Sequence, residues 1–487
     1  MRVAKPAPQT CKRAAPRAVP FSGRDGGEAS GDLFVAICIC RSRHFFEHDM
    51  QLPSAMNQHD PVSTASSEPA SHLDAPSSAL ALLRVFRHRN YRLFFSGQLV
   101  SLMGTWITQV AQGWLVYDLS HSPLLLGITS FAGQIPVFFI TSFGGMVADR
   151  VDRRRTLMIT QSLAMLQAAT LAVLTLSGLI QVWEVVALAL FKGLVNAFDV
   201  PTRQAFTVDM AGREDLRNAI SLNSIMFNLA RVIGPSFAGI IIAIWGTGVC
   251  FSIDAISYGA VLVGIFLMVV PPRPKRATGK PFTELREGFR YAWNSHTIRL
   301  TLLLVSVLAA CGASYVSQMP AVAREVLHQN AAGLGALMAA IGVGALFGAY
   351  GLARVPDRHL LLTPILSALS FGLSLIAFSQ SQVLWLSMLL LMPAGCSLVL
   401  LGGAVNTIIQ TVSHDHVRGR IVALYTMAFM GMMPWGSLAL GWLAEVIGVG
   451  RAIGLGGTLC VVAAIVAYFL RGPRYTLSPP PLERELA

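Results

Sequence analysis

Charged side chains recur inside stretches of the chain that are otherwise apolar. One stretch carries four polar groups at intervals of four, three and four residues: Lys192, Asn196, Asp199 and Arg203. These intervals place them on one face of a helix, where Asp199 and Arg203 can pair directly. A charge at the centre of a bilayer costs about 2.5–3.5 kcal/mol, so such groups commonly face an internal cavity. The face could therefore bind an oppositely charged group or carry a proton.

Neighbouring apolar stretches carry similar polar faces. Their members are Ser101, Thr105, Gln109 and Gln112; Ser221, Ser224, Asn228 and Arg231; Asp254; and, in the second half, Ser314, Gln318, Asn406 and Gln410. We predict one cavity lined by Gln109, Gln112, Lys192, Asn196, Asn228, Arg231, Gln318 and Asn406, with Asp199 or Asp254 as the proton carrier. Amides can instead merely bond helices together, and Lys192 or Arg231 can form a fixed structural pair with Asp254.

Composition identifies the elements that must position these groups. The chain has 487 residues, of which 54% are hydrophobic and 13% are charged, whereas soluble domains carry about 25% charged residues. The apolar stretches reach about 20 residues or more, the length that spans a bilayer as a helix. These features predict an all-α polytopic membrane protein. The net charge of +12 fits basic cytoplasmic loops rather than nucleic-acid binding. The cysteines have no metal spacing, so neither a metal nor another cofactor is expected.

We predict twelve spans, and their loops alternate in charge. The spans cover roughly 92–117, 124–148, 156–180, 182–205, 217–245, 248–271, 299–323, 331–353, 360–379, 383–410, 419–446 and 449–471. Arginines and lysines cluster in every second loop, while the loops of the other side carry only Arg324 and Arg451. The positive-inside rule therefore predicts that both termini are cytoplasmic.

The spans divide into two halves that resemble each other weakly. "LRNAIS" before the fifth span matches "VRGRIV" before the eleventh, as expected for two six-helix repeats. The expected bundles are 81–271 and 299–471, joined by a cytoplasmic linker, 272–298, and followed by a cytoplasmic tail, 472–487. Within the linker, Phe282–Trp293 has the spacing of an amphipathic helix lying on the inner leaflet. Residues 1–80 are expected to be a disordered extension, with Met50 or Met56 as alternative starts.

A charged turn, "GGMVADRVDRRRTL" from Gly144 to Leu157, follows the second span. Gly145 would allow a close helix approach, and Asp149 at the membrane edge needs hydrogen-bonding partners. Nearby arginines can supply them, and Arg203 is a further candidate. Such a cluster could hold the cytoplasmic ends of two bundles together in one state and release them in another. The alternative is simple anchoring by arginines, which leaves the acidic residue and the leading glycine unexplained.

The order of residues in this turn resembles the loop signature of the major facilitator superfamily. The matching positions are Gly145, Asp149, Arg150, Arg153 and Arg154, whereas Asp152 stands where glycine is usual. A partial copy, with Arg354, Asp357 and Arg358, follows the eighth span. The resemblance implies two six-helix bundles that rock about a central cavity, with this turn as the cytoplasmic gate.

Two further resemblances narrow the group. "ARVIGPSFAG" resembles the glycine–proline motif of the antiporter branch at Gly234, Pro235 and Gly239, although Ala230 and Ala238 replace commoner glycines. It implies export, while the alternative is a helix kink without directional meaning. "FDVPTRQAFTVDM" and "GRIVALYTMAFMGMMPWGSLALGWLA" resemble bacterial exporters related to the enterobactin exporter, the transmembrane secretion effectors.

Together these features predict a proton-coupled exporter in the bacterial inner membrane. Its expected partners are the bilayer, protons and a small amphipathic substrate, siderophore-like or drug-like, and the protein is expected to be a monomer. Lys192 and Arg231 favour an anionic or phenolic substrate, which would lie between a polar first half and an apolar second half. The chain has no phosphate-binding loop for ATP. Alternatives are a broad multidrug exporter, a membrane-embedded enzyme, for which no cluster of catalytic groups is found, and a non-transporting receptor or scaffold.

Overall fold

The computed structural model describes residues 84–211, 215–268, 281–472 and 475–477. Within these ranges the side chains of 142–143, 145–150, 208–209, 211, 216–217, 281–286 and 415–416 are not described. The predicted extension, 1–80, and parts of the predicted linker and tail lie outside the described residues. The two-bundle boundaries therefore stay a prediction.

Helices make up almost all of the described chain. They are α1 (Arg89–Ser120), α2 (Pro123–Arg150), α3 (Arg153–Leu176), α4 (Val182–Ala211), α5 (Leu216–Trp245), α6 (Thr247–Phe266) and α7 (Pro281–Asn294) in the first part. They continue with α8 (His296–Val326), α9 (Ala331–Leu352), α10 (Thr363–Ser379), α11 (Leu384–Val412), α12 (Asp415–Met430), α13 (Met432–Ile447) and α14 (Val449–Leu470). The predicted all-α membrane fold is confirmed.

Hydropathy and length alone identify ten membrane-spanning helices in the described part of the chain. The apolar helix α10 has 17 residues and is shorter than these ten. The long helix α1 is not among them because it carries many polar side chains, including buried Gln98, Ser101 and Thr108. The helix positions agree with the predicted spans to within a few residues at each end.

Two predicted spans are less regular than a single α-helix. Gly431 separates α12 from α13, and Pro434 lacks the N–H that would continue the helical ladder. The middle of α8 changes to a π-helical turn at Leu308–Gly312 and then to a 3₁₀ segment at Ala313–Gln318. Sequence periodicity predicted neither irregularity.

Close backbone contacts join the two halves. Helix α5 packs on α9, and α2 packs on α13. Gly239 of α5 faces Gly335 of α9, where a Cβ on Gly239 would lie 2.7 Å from the Ala331 carbonyl oxygen. Gly127 of α2 faces α13, where a Cβ would lie 2.5 Å from the Ser437 carbonyl oxygen. Only glycine lets the helix backbones approach this closely.

The helix ends lie at two faces, which we name by the arginine content of their loops: the arginine-rich face and the arginine-poor face. The arginine-rich face contains the start of α1, the turn between α2 and α3, and the end of α14. The arginine-poor face contains the turns between α1 and α2, between α5 and α6, and between α8 and α9. Helix α7 lies at the arginine-rich face, because it runs directly into the start of α8, where Ser295 accepts a hydrogen bond from the Ile298 amide at 3.4 Å. The predicted helix over Phe282–Trp293 is confirmed, while its position on a leaflet stays a prediction.

Candidate functional site

A cavity of about 320 Å³ lies between the two halves. Helices α1, α2, α3, α4 and α6 form one wall, whose polar lining includes Gln109, Gln112, Gln134, Gln167, Lys192, Asn196 and Asp254. Helices α8, α9 and α13 form the other wall, whose lining includes Val316, Met319, Leu334, Met338 and Met433. One wall can therefore form hydrogen bonds and ionic contacts, and the other offers mainly apolar surface with a few serines.

Lys192 is the cationic group of this cavity. Its Nζ donates a hydrogen bond to the Tyr258 hydroxyl and lies 4.3 Å from the centre of that ring. The same hydroxyl lies 3.3 Å from Thr105 Oγ1 on α1. No carboxylate forms an ion pair with Lys192 among the residues that the structure describes. A phenol and a hydroxyl thus position the ammonium group, and Asp254 contributes a nearby negative charge from the same wall. An anionic ligand could add a direct ionic contact to Lys192.

Asp254 is one helical turn before Tyr258 on α6, and its exposed fraction is 1%. Gly104 of α1 makes room for it, because a Cβ at that position would lie 2.8 Å from Asp254 Oδ1. Ser257 Oγ lies 3.5 Å from Oδ1, while Oδ2 has no hydrogen-bond partner in the described part of the chain. A buried carboxyl group with an unused oxygen at a cavity wall is a suitable proton carrier.

The structure brings together only some of the predicted cavity residues. Gln109, Gln112, Lys192 and Asn196 line the cavity with Asp254, whereas Asn228, Arg231, Gln318 and Asn406 are not among its lining residues. Asn228 is exposed and donates to the Ser224 carbonyl at 2.8 Å. Arg231 is half-buried in α5. Gln318 is buried and donates to the Pro123 carbonyl at 3.2 Å, and Asn406 is half-buried in α11.

Asp199 belongs to a separate buried network inside the first half. Its Oδ1 accepts hydrogen bonds from Thr160 Oγ1 at 2.8 Å and from Gln161 Nε2 at 2.7 Å. Its Oδ2 lies 3.6 Å from Nε of Arg203, the predicted ion pair. Because every one of these partners lies on α3 or α4, the network joins two helices of the same half.

Replacing Asp199 with alanine should lower the stability of the protein. The change leaves Arg203 and two buried polar side chains without their acceptor, and breaking such a pair costs about 3–5 kcal/mol. We expect a lower melting temperature in detergent, measured by intrinsic fluorescence, with a smaller loss for Asp199→Asn. Exposed Asp357→Ala is the matched control. An unchanged melting temperature for Asp199→Ala would contradict a stabilising role for this network.

The predicted cytoplasmic gate is described only in part. The surroundings of Gly145 and the side chains of Asp149 and Arg150 are not described. Arg153 donates to the Ala205 carbonyl at 3.4 Å, and Arg154 donates to the Ile265 and Phe266 carbonyls at 3.2 and 2.8 Å. Arg154 therefore satisfies the last carbonyls of α6, as basic side chains do at helix C-termini. A latch at Asp149 stays a prediction.

A group of polar contacts closes the arginine-poor face; we call it the closure network. Arg324 Nη2 lies 3.2 Å from Asp118 Oδ1, and the Tyr117 hydroxyl donates a hydrogen bond to Glu325 Oε1. Glu445 accepts a hydrogen bond from Ser122 Oγ at 2.8 Å and one from the Leu124 amide at 3.1 Å. Each contact joins the first half to the second, so the structure is closed at this face.

The glycine–proline motif of α5 lies where this helix contacts α1 and α9. A Cβ on Gly234 would lie 2.6 Å from Trp106 Cβ of α1, and Gly239 contacts α9. Helix α5 continues through Pro235 without a break. The motif therefore packs α5 against both halves of the protein. That this motif indicates export stays a prediction.

Sequence reasoning missed Tyr258 and the closure network. The position of Tyr258 four residues after Asp254 was an available signal, because that spacing places both on one helical face. The closure network gave no such signal. Its members lie at or beside the ends of α1, α2, α8 and α13. The paired residues are more than 200 residues apart in sequence, as for Asp118 and Arg324.

Comparison with known proteins agrees with this architecture. The family model described as "transmembrane secretion effector" matches residues 78–478. The staphyloferrin A transporter of Staphylococcus aureus is 28% identical over 386 residues, covering 78% of this chain and 96% of that protein. The multidrug efflux pump Tap of Mycolicibacterium fortuitum is 28% identical, covering 75% of this chain and 92% of that protein. The enterobactin exporter EntS of Citrobacter koseri is 25% identical, covering 83% of this chain and 96% of that protein.

Solved structures share the fold at low sequence identity. A bacterial homologue of the human lysosomal transporter Spinster, in an inward-facing and unoccupied conformation, superposes with a TM-score of 0.64 at 14% identity. It covers 83% of this chain and 100% of that one. The nucleoside transporter NupG superposes with a TM-score of 0.63 at 13% identity, covering 81% of this chain and 100% of that chain. From the family match and these folds, the chain is a multi-pass membrane transporter that belongs to the transmembrane secretion effector family of the major facilitator superfamily.

Proposed function

We propose that this transporter exports small anionic or phenolic amphiphiles in exchange for protons. The observation that carries the proposal is the asymmetry of the cavity. One wall carries Asp254 and Lys192, which is positioned by buried Tyr258, and the opposite wall is mainly apolar. An amphipathic substrate would place its acidic group near Lys192 and its apolar part against Met338 and Met433. A substrate of this class agrees with the names of two relatives, a staphyloferrin A transporter and an enterobactin exporter.

Asp254 is the stronger of the two candidates for the proton carrier. It lines the cavity and has an unused oxygen, whereas Asp199 accepts hydrogen bonds from Thr160 and Gln161 and does not line the cavity. A carboxyl group that alternates between a dry and a water-filled environment can take up a proton on one side and release it on the other. Protonation of Asp254 would also change the field at Lys192 and thereby the affinity for an anionic substrate.

Alternating access would proceed by rocking of the two halves. The closure network would hold the arginine-poor face shut in the present state and separate in the other, when the predicted latch at Asp149 would form. The positive-inside rule supports a cytoplasmic arginine-rich face, so substrate would enter from the cytoplasm. We also propose an inner-membrane location, cytoplasmic termini, a monomeric protein and the bundles 81–271 and 299–471.

A broad multidrug exporter is the second candidate. The relative named as a multidrug efflux pump is as similar in sequence as the staphyloferrin A transporter. The apolar wall would suit lipophilic drugs, but the positioned Lys192 favours anions over the lipophilic cations that such pumps commonly remove. An enzymatic role finds no support, because the relatives and the structural neighbours are named as transporters.

Proteoliposomes with an acidic lumen test the proposal. We expect external enterobactin or staphyloferrin A to dissipate the pH gradient, read with a pH-sensitive dye, and external ethidium to have little effect. Lys192→Gln should raise the half-saturating concentration about tenfold or more, as expected for the loss of a charged hydrogen bond. Dissipation by ethidium alone would favour the multidrug alternative. No response to any of these compounds would favour a receptor or scaffold.

A further inference from the structure

Two aromatic side chains of α7 are exposed next to each other. The exposed fractions of Phe289 and Trp293 are 56% and 53%. Their rings stack with centroids 5.8 Å apart and an interplanar angle of 20°. One helical turn separates them, so they form a continuous apolar strip along the helix.

The opposite side of α7 is attached to the second half. Glu287 forms an ion pair with Arg420 at 2.7 Å, and the Tyr291 hydroxyl donates to the Val412 carbonyl at 3.4 Å. Ala292 is buried, and a Cβ on Gly288 would lie 2.9 Å from Arg420 Cβ. These contacts fix the rotation of α7, and the aromatic strip remains on its uncovered side.

Cationic groups lie at the end of this strip, where α7, α8 and α14 meet. Arg299 Nη1 donates to the Trp293 carbonyl at 3.1 Å, and the Arg299 guanidinium lies 5.7 Å from the centre of the Trp293 ring. His296 Nε2 lies 2.9 Å from the Leu470 carbonyl oxygen. Arg471, the next residue, has its guanidinium 3.9 Å from the Tyr468 ring.

We propose that this junction binds the headgroup of an anionic phospholipid. The Trp293 ring lies beside Arg299 of the first turn of α8, and tryptophan is enriched at membrane interfaces. Guanidinium groups hydrogen-bond phosphate strongly, and the positive end of the α8 dipole adds to their field. Arg299 and Arg471 would bind the phosphate, while Phe289 and Trp293 would pack on the glycerol and upper acyl chain.

Lipid is the occupant that the charges and the position favour. Phe469 and Leu470, at the end of α14, are also exposed, and the Leu470 carbonyl contacts His296 at the junction. A basic group directly beside an apolar surface complements a lipid that has an anionic head and an apolar tail. The proposal does not depend on the transported substrate, so it can fail or succeed independently of the proposed export.

Quenching of Trp293 fluorescence by brominated lipids tests this site in the full chain. The Trp293 contribution is the difference between the parent protein and Trp293→Phe in liposomes with brominated phosphatidylglycerol or brominated phosphatidylcholine. We expect quenching about twofold or more stronger with the anionic lipid at equal bromine density. The variant Arg299→Gln/Arg471→Gln should remove this preference, while Arg354→Gln/Arg358→Gln on the same face should keep it.

Three results would overturn the proposal. Equal quenching by both lipids in the parent protein would show contact with lipid but no headgroup site. Relief of the preference by excess inorganic phosphate would indicate a site for free anions. An unchanged preference in Arg299→Gln/Arg471→Gln, with a melting temperature like that of the parent, would exclude these two arginines.

Discussion

Asp254→Asn should reduce proton-driven transport to the level of protein-free liposomes while leaving substrate exchange intact. Asparagine has nearly the shape of aspartate, so it fits beside Gly104 and can still bond Ser257. It cannot take up or release a proton, and therefore a pH gradient can no longer be coupled to substrate movement. The alternation of the loaded carrier needs no net proton transfer and should continue.

Two assays on the same proteoliposomes separate these effects. One measures substrate uptake driven by a pH gradient, and the other measures exchange of labelled for unlabelled substrate without a gradient. Asp357→Asn is the matched control, since Asp357 is an exposed carboxylate in the loop between α9 and α10. Full gradient-driven uptake by Asp254→Asn would rule out Asp254 as the carrier, and loss of both activities would assign it a structural role.

The sequence was sufficient to predict most of the helices, since a bilayer requires apolar stretches of a set length. It was less informative where a local feature interrupts a uniformly apolar stretch. The break at Gly431 and the π-helical turn at Leu308–Gly312 are examples. Helical periodicity reports which side chains share a face and not where the backbone leaves the α-helical pattern.

For the cavity, helical periodicity identified side chains on the right faces but not their neighbours. Lys192 and Asn196 share a face and both line the cavity, whereas Arg203, on the same face, lies beyond it with Asp199. Asn228 and Gln318 also carry suitable polar groups, but they donate to the Ser224 and Pro123 carbonyls and do not line the cavity. The contacts that close the arginine-poor face also join residues that are far apart in sequence, such as Asp118 and Arg324.

Valine at both Gly127 and Gly239 should force the arginine-poor face open. The two glycines lie at the α2–α13 and α5–α9 contacts, where a Cβ would meet backbone atoms at 2.5 and 2.7 Å. Overpacking costs about 1–3 kcal/mol at each site, so the pair should shift the equilibrium by roughly 30-fold or more. The strain is relieved when the halves separate, so the state open at this face becomes more populated.

Spin labels on the two halves report this shift. Cysteines at exposed Ser177 and Gln380, in a background without the native cysteines, should give longer interlabel distances in Gly127→Val/Gly239→Val. Gly259→Val is the matched control, because a Cβ at Gly259 meets no atom within 4 Å. Unchanged distances in a folded double variant would show that these contacts do not hold the face closed. Asp254→Asn should leave the distances unchanged, since it alters proton binding and not the contact between backbones, so the gate and the proton carrier can be tested separately.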